Sequence, residues 1–288
     1  LKRFYIDKFA LSSPHSMSDY GEVTTAAYKF GTFTDGAKSK GFVVGGYTPA
    51  VGNSLSEVTT FNFTGSPIGT TDIGDVLQTS AVGFAMQCQT PSIGILGGGI
   101  NYPGGSDNII NTIQTLSNGT SPFTALDSGG EMATVLRDAS CSESPTHGYM
   151  GGGANPSATG EITRYQKGTS DNSTDVGELV SSGSSYGGGA TDGRGGNGFH
   201  ISGVNTSGTK IDVIQKYPFT SPTTGSDVGE FSVSPGGDLG VKMVSGLTDF
   251  FATDKSDKIF KGSFTSPAST SDVGERSFTS AYANGTQY

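Results

Sequence analysis

The sequence has no tryptophan, two cysteines, three histidines and only 17 basic residues in 288. Each shortage removes a class of function. The basic residues are scattered and the formal net charge is −9, so the surface repels phosphate backbones and no nucleic-acid partner is expected. No stretch stays apolar for the ~18 residues that a membrane helix needs, so no membrane insertion is expected either. The start, LKRFYIDKF, lacks the apolar core and cleavage site of a signal peptide. It also lacks methionine, so Leu1 is not taken as the native start. Cys88 and Cys141 read as small buried residues, not as a disulfide or a metal pair. Runs with apolar residues at helical spacing are missing as well. What is present is 46 glycines and short apolar runs bounded by Gly, Ser, Asp and Pro, the pattern of an all-β chain.

Those runs repeat. TSPTTGSDVGEF at 220–231 returns as TSPASTSDVGER at 265–276, and related segments lie at 13–23, 66–76, 121–132 and 169–179. Their acidic anchors are Asp19, Asp72, Asp127, Asp175, Asp227 and Asp272, spaced 45 to 55 residues apart. Pro14, Pro67, Pro122, Pro222 and Pro267 each precede an anchor by five residues. A second landmark keeps phase: segments such as Gly41–Gly46, Gly94–Gly99 and Gly148–Gly153 end 26 to 28 residues after their anchors, with 198–203 and 249–254 as degenerate copies. Apolar residues at both central positions of this landmark imply a strand covered on both faces.

Each unit reads as four strands: one starting after the anchor (Glu178–Val180), one at Gly83–Met86 and its counterparts, the glycine-rich segment, and one at Val58–Phe63, 211–219 or 259–264. Four strands per unit of this length predict a β-propeller, since a ring covers both faces of every sheet. Solenoid coils of about 20–30 residues are too short for the period. The expected fold is a single domain over 1–288: six four-stranded antiparallel blades, the ring closed by strands from both termini. Residues 3–11 would supply an outgoing strand and 275–288 two incoming ones, so the shared blade has three strands or continues in a longer chain. The Asp-x-Gly of each anchor is expected to be a tight turn between one blade strand and the next.

Paired glycines after an apolar strand, at this period, resemble kelch-type propellers. The missing tryptophan departs from the kelch pattern. The combination of Ser-Pro-x4-Asp-Val-Gly-Glu with Gly-Tyr-x-Gly-Gly-Gly is similar to kelch-like repeat proteins of bacteriophages and other aquatic viruses. That resemblance implies a virion protein, a tail, fibre or capsid-decorating module, whose partners are other virion proteins and host-surface carbohydrate.

No catalytic constellation emerges. Arg3, Arg137, Arg164, Arg194 and Arg276 do not recur at one blade position, as the carboxylate-binding cluster of a sialidase-like propeller would require. His15, His147 and His200 stand at unrelated positions, unsuited to one copper site, and His200 reads as a hydrogen-bonded core residue. No cofactor, metal site or enzyme activity is therefore expected. The segments 101–110 and 181–197 are the longest insertions. The second carries Tyr186, Asp192 and Arg194, the candidate residues for binding sugar hydroxyls. Two other readings stay open: a free lectin-like propeller, and an enzyme of the sialidase or copper-oxidase type.

Overall fold

The computed structural model describes residues 5–13, 17–23, 25, 30–35, 39–48, 53–65, 68–77, 86–101, 108–117, 123, 125–181, 186–193, 195–220, 224–232, 241–253 and 258–276. Of the five anchor prolines, only Pro267 falls among them. The protein is an all-β propeller. Five four-stranded antiparallel sheets follow one another in chain order. Blade 1 consists of Gly31–Thr34, Lys40–Val44, Glu57–Asn62 and Thr71–Asp75. Blade 2 has Met86–Gln89, Ile93–Gly97, Thr112–Ser117 and Ala125–Glu131. Blade 3 has Ser140–Glu143, His147–Gly151, Glu161–Gln166 and Thr174–Glu178. Blade 4 has Gly188–Thr191, Asn197–Val204, Lys210–Pro218 and Ser226–Glu230. Blade 5 has Lys242–Ser245, Asp249–Thr253, Lys258–Ser263 and Ser271–Glu275. Within each blade the strands run from the ring axis outward in sequence order.

Five blades carry four strands, where the repeat count predicts six. At the remaining anchor, Asp19, Tyr5–Lys8 pairs with Ser18–Glu22, and Ile68–Gly69 of the next unit adds to their edge in parallel. This N-terminal pair touches both ends of the series. Met17 N–H donates to Glu275 of blade 5 at 3.1 Å, and Phe9 meets Phe251 edge-on at 5.5 Å. On the other side Tyr20 Oη donates to the Phe63 carbonyl at 2.6 Å, and Ile6 packs on Val43, Phe61 and Phe63 of blade 1. Of the expected C-terminal strands, 275–288, Glu275 instead ends the outer strand of blade 5, and 277–288 lie outside the described residues.

The anchor is not a turn between one blade strand and the next. It is the outermost strand of its own blade, and the strand expected to start at Glu178 ends there. The local chemistry matches the expectation. Asp72, Asp127, Asp175 and Asp227 each accept, through Oδ1, the amide of the glycine two residues on, at 2.8 to 3.1 Å. The pairing shows that this is a β-bulge. Val58 faces Gly74 and Thr59 faces Asp72, so Ile73 is the extra residue, and the same shift recurs in blades 3, 4 and 5. Three extra residues, Ile73, Val176 and Val228, turn inward and pack on the inter-blade clusters.

The bulged strand is an edge, and an open edge invites pairing. Here the loop before the next anchor seals it. Amides of Thr70, Phe123, Ser173 and Gly225 donate to Glu22, Ile73, Glu131 and Glu178 of the preceding unit at 2.8 to 3.2 Å, and Glu230 donates back to Ala268 at 3.2 Å. Glycine in the bulge permits this approach. A Cβ on Gly229 would sit 2.4 Å from the Pro267 carbonyl oxygen. The repeated Ser-Pro-x4-Asp-Val-Gly-Glu thus combines an edge strand with the latch that closes the edge before it. Buried glutamines add a second tie: Gln114 and Gln215 accept amides of Leu77 and Val180 from the previous unit, at 2.9 and 2.6 Å.

Second strands are buried on both faces, as expected; Gly148 to Gly151 are all buried. Their terminal Gly152-Gly153 pair takes positive φ (68° and 109°), which turns the chain over the rim, and Ser202 holds the first of these places in blade 4 at φ 62°. Blade 5 departs from the expected alignment by one residue. In blades 1 and 4 a glycine on the second strand lies under a third-strand ring: Gly41 under Phe61, and Gly198 under Tyr217. In blade 5 the partners are exchanged, with Phe250 over Gly262. The glycine is not lost but moved to the neighbouring strand.

Exchanging this pair back should be tolerated where half the exchange is not. Phe250→Gly should cost roughly 3–5 kcal/mol through its cavity, and Gly262→Phe about 1–3 kcal/mol through overpacking. The double variant should recover more than ~1 kcal/mol of their sum in urea unfolding. Additive losses would show that the two positions do not share one ring site.

Candidate functional site: the axial belt and the loop rims

The inner strands leave a second edge, facing the axis, and side chains close it. In blades 1 to 4 the last residue of the inner strand donates its amide to the side chain of its counterpart in the next blade. Thr34 donates to Gln89 Oε1 (2.7 Å), Gln89 to Glu143 Oε2 (3.0 Å), Glu143 to Thr191 Oγ1 (2.8 Å) and Thr191 to Ser245 Oγ (3.0 Å). Gln89 Nε2 returns a bond to Thr34 Oγ1 at 2.8 Å, and Thr32 N–H repeats the pattern one layer deeper with Gln87 at 3.0 Å. Glu143 Oε2 also holds Lys167 Nζ at 2.6 Å, with the lysine side chain only 5% exposed. Pairing both charges removes the cost of burying either one alone. The belt is polar, but its acceptors are committed to unpaired backbone.

The candidate residues of 181–197 do not form one site. The segment is not a loop insertion, because it contains the inner strand Gly188–Thr191. Its glycines come from close packing at the axis: a Cβ on Gly189 would lie 2.2 Å from the Cys141 carbonyl oxygen. Tyr186 precedes that strand, with φ 64° and its amide bonded to the Asp138 carbonyl at 2.8 Å. Asp192 follows it, at the opposite rim. There its Oδ1 accepts Gly196 N–H at 2.8 Å and its Oδ2 accepts Asn197 Nδ2 at 2.7 Å. Asp35 plays the same part in blade 1, accepting the amides of Ser39 and Lys40 at 2.6 and 3.0 Å. Burial raises the Asp35 pKa, but bonds from Ser39 and Lys40 outweigh it and leave the carboxyl below its ordinary value. Asp192 is therefore a turn cap. Arg194 lies outside the described residues. At the described ends of the other insertion, 101–110, Ile100–Asn101 pairs with Asn108–Ile109.

One grouping escaped the sequence reading. On blade 3, His147, Tyr149 and Arg164 share a face, with Arg164 directly across from Tyr149. Blade 4 covers Tyr149 with Phe219, the rings stacked at 4.3 Å, and Tyr149 Oη donates to the Phe219 carbonyl at 3.0 Å. Burial raises the Tyr149 pKa; burial, then Arg164 and Lys167, lower that of His147. The available signal was a position within the repeat: pairing aligns Arg164 with Thr60, Thr115, Lys216 and Lys261.

His200 is the core residue the sequence implied. It is fully buried, with Nδ1 2.6 Å from Ser140 Oγ and Nε2 2.9 Å from the Ser202 carbonyl oxygen. A carbonyl only accepts, so Nε2 carries the proton; neutral Nδ1 then shares the one Ser140 hydroxyl hydrogen with the Gly151 carbonyl, 3.0 Å from Oγ. Burial pushes its pKa down to about 4, against the opposing pull of the Ser202 carbonyl. Cys88 is buried, Cys141 is partly exposed, and both are free thiols. Burial raises both thiol pKa values, that of Cys141 to about 11. No group of three or more His, Cys, Asp or Glu among the described residues is arranged to hold a metal.

His200 makes stability depend on acid. Above pH ~6.5 neither the folded nor the unfolded chain protonates it. Between there and about 4 the unfolded chain takes up a proton that the folded one refuses, so stability falls with pH, by roughly 3 kcal/mol in all. Below about 4 the loss stops growing. His200→Leu, which copies Leu96 from the equivalent place of blade 2, should lose less stability between pH 7.5 and 4.5 in urea unfolding. Equal losses would exclude His200 as the titrating group.

Comparison with known proteins adds to this geometry on the level of fold. No family pattern matches the chain, and no curated protein matches it in sequence. The solved structure of YjhT superposes with a TM-score of 0.72 over 92% of this chain and 89% of that one, at 12% identity. As 583 solved chains match in this way, the architecture alone selects no activity. What the likeness shows is the β-propeller fold.

Proposed function

We propose that this chain is a non-enzymatic, kelch-like interaction module of a virus particle, a tail, fibre or capsid-decorating propeller that contacts other virion proteins and host-surface glycans. The observation that carries it is the commitment of the axial polar groups. Gln89, Glu143, Thr191 and Ser245 hold neighbouring blades together, which favours a rigid scaffold over a reaction chamber. The viral assignment rests on the resemblance of the Ser-Pro-x4-Asp-Val-Gly-Glu and Gly-Tyr-x-Gly-Gly-Gly segments to phage and aquatic-virus repeats. Arg137, Arg164 and Arg276 stand in separate places, which argues against a sialidase-like carboxylate cluster built from the described arginines.

The ring in this reading has six stations. The N-terminal pair is the outer half of the sixth, latched to blade 5 through Met17 and Glu275.

Mass spectrometry of gradient-purified particles should find this chain co-sedimenting with other virion proteins. Recovery only from the unsedimented fraction would overturn the virion assignment and favour a free lectin-like propeller. A fluorogenic glycoside panel should give no turnover; hydrolysis would overturn the non-enzymatic part.

A further inference from the structure

The groove between blades 3 and 4 is lined by the grouping around Tyr149. Arg164, His147 and Phe219 are each partly exposed, Tyr149 is buried beneath them, and exposed Thr174 stands across from Arg164. Arg164 bonds the Tyr149 hydroxyl but forms no ion pair among the described residues, whereas its lysine counterparts lie against rings or a carboxylate. Lys216 lies 5.9 Å from the Phe199 ring, and Lys261 lies 3.2 Å from Asp249 Oδ2 and 5.8 Å from the Phe251 ring. His147 Nδ1 meets Thr146 Oγ1 at 2.9 Å, which leaves Nε2 for a ligand. The nearby carboxylate of Glu143 is already bound to Lys167. In a chain of net charge −9, a guanidinium with no ion pair among the described residues is suited to meet an anion.

We propose that the groove binds an acidic saccharide, a sugar ring carrying a carboxylate or sulfate. The Arg164 fork takes the anion in paired hydrogen bonds. His147 Nε2 and the Thr174 hydroxyl meet ring hydroxyls, and the exposed part of the Phe219 ring lies against the sugar's C–H surface. A lone anion would need only the guanidinium. The flanking aromatic and hydroxyl groups are what favour a sugar. The inference rests on the glycan-contact part of the proposed function and names its ligand class and its place.

Ligand-observed NMR with 3′-sialyllactose, a sulfated chondroitin disaccharide and lactose tests it, and the first two separate carboxylate from sulfate. An acidic probe should bind at least about tenfold tighter than lactose, and Arg164→Thr should remove that preference. Threonine holds the equivalent place in blades 1 and 2, so this variant is expected to fold. His147→Asn, copied from Asn197 of blade 4, should weaken binding in part. Lys216→Thr should leave binding unchanged. Acidic sugar binding that survives Arg164→Thr would overturn the groove while leaving glycan contact standing. Equal binding of lactose would overturn the anionic class, and no binding of any probe to the unaltered protein would remove the glycan reading together with the groove.

Discussion

A sheet of four strands has two open edges, and this protein closes both with its neighbours. At the outer edge the main chain of the next unit bonds directly to the bulged strand, as Ser173 does to Glu131 and Gly225 to Glu178. At the inner edge side chains take that part, as Gln89 and Thr191 do for Thr34 and Glu143. Neither closure exists within a single unit. A blade on its own would expose a row of amides and two apolar faces, so the blades stabilise one another as neighbours in an array. The array must also end somewhere, and the Met17 bond to Glu275 shows how: the N-terminal segment gives the last blade the latch that every other blade receives from its successor.

The period of the fold was legible because its two landmarks are under local physical constraint. Asp-x-Gly is needed wherever a strand must bulge, and paired glycines wherever the chain must turn at positive φ, as at Gly152 and Gly153. The phase of the blade was not legible from the same residues. An aspartate that accepts the amide two residues on makes an equally good turn or bulge, and only the pairing of Asp72 with Thr59 and Gly74 with Val58 separates the two. The inner strand Gly188–Thr191 was hidden for the opposite reason. Its composition reads as a loop, but its glycines are dictated by a neighbour, the Cys141 backbone, that sequence spacing does not reveal. The one-residue offset in blade 5 has the same origin. Phe250 and Gly262 satisfy one ring site across two strands, so neither strand alone displays the pattern.

This economy limits where function can reside. Polar residues near the axis look available by type, yet Glu143 receives the Gln89 amide and the Lys167 ammonium on one carboxylate oxygen. Any ligand that took Glu143 would leave a mostly buried lysine without its partner, a strongly destabilising exchange. Recognition is cheaper at the rims and in the grooves between blades, where side chains are not holding the ring together.

The repeat itself sorts candidates of that kind. A residue whose role recurs in another blade is explained by the scaffold, so Asp192, which caps its turn as Asp35 does, needs no ligand. Departure from the repeat is necessary for a special role, but it is not sufficient. His200 departs from Leu96 and Met150, yet it is fully buried and its ring nitrogens face Ser140 and Ser202 inside the core, so its singularity serves packing between blades 3 and 4. Arg164 departs from Thr60 and Thr115 and differs from Lys261 in forming no ion pair with a carboxylate among the described residues. A partly exposed guanidinium with no carboxylate partner among the described residues is not explained by the scaffold, and under the proposed reading an external anion supplies the negative charge.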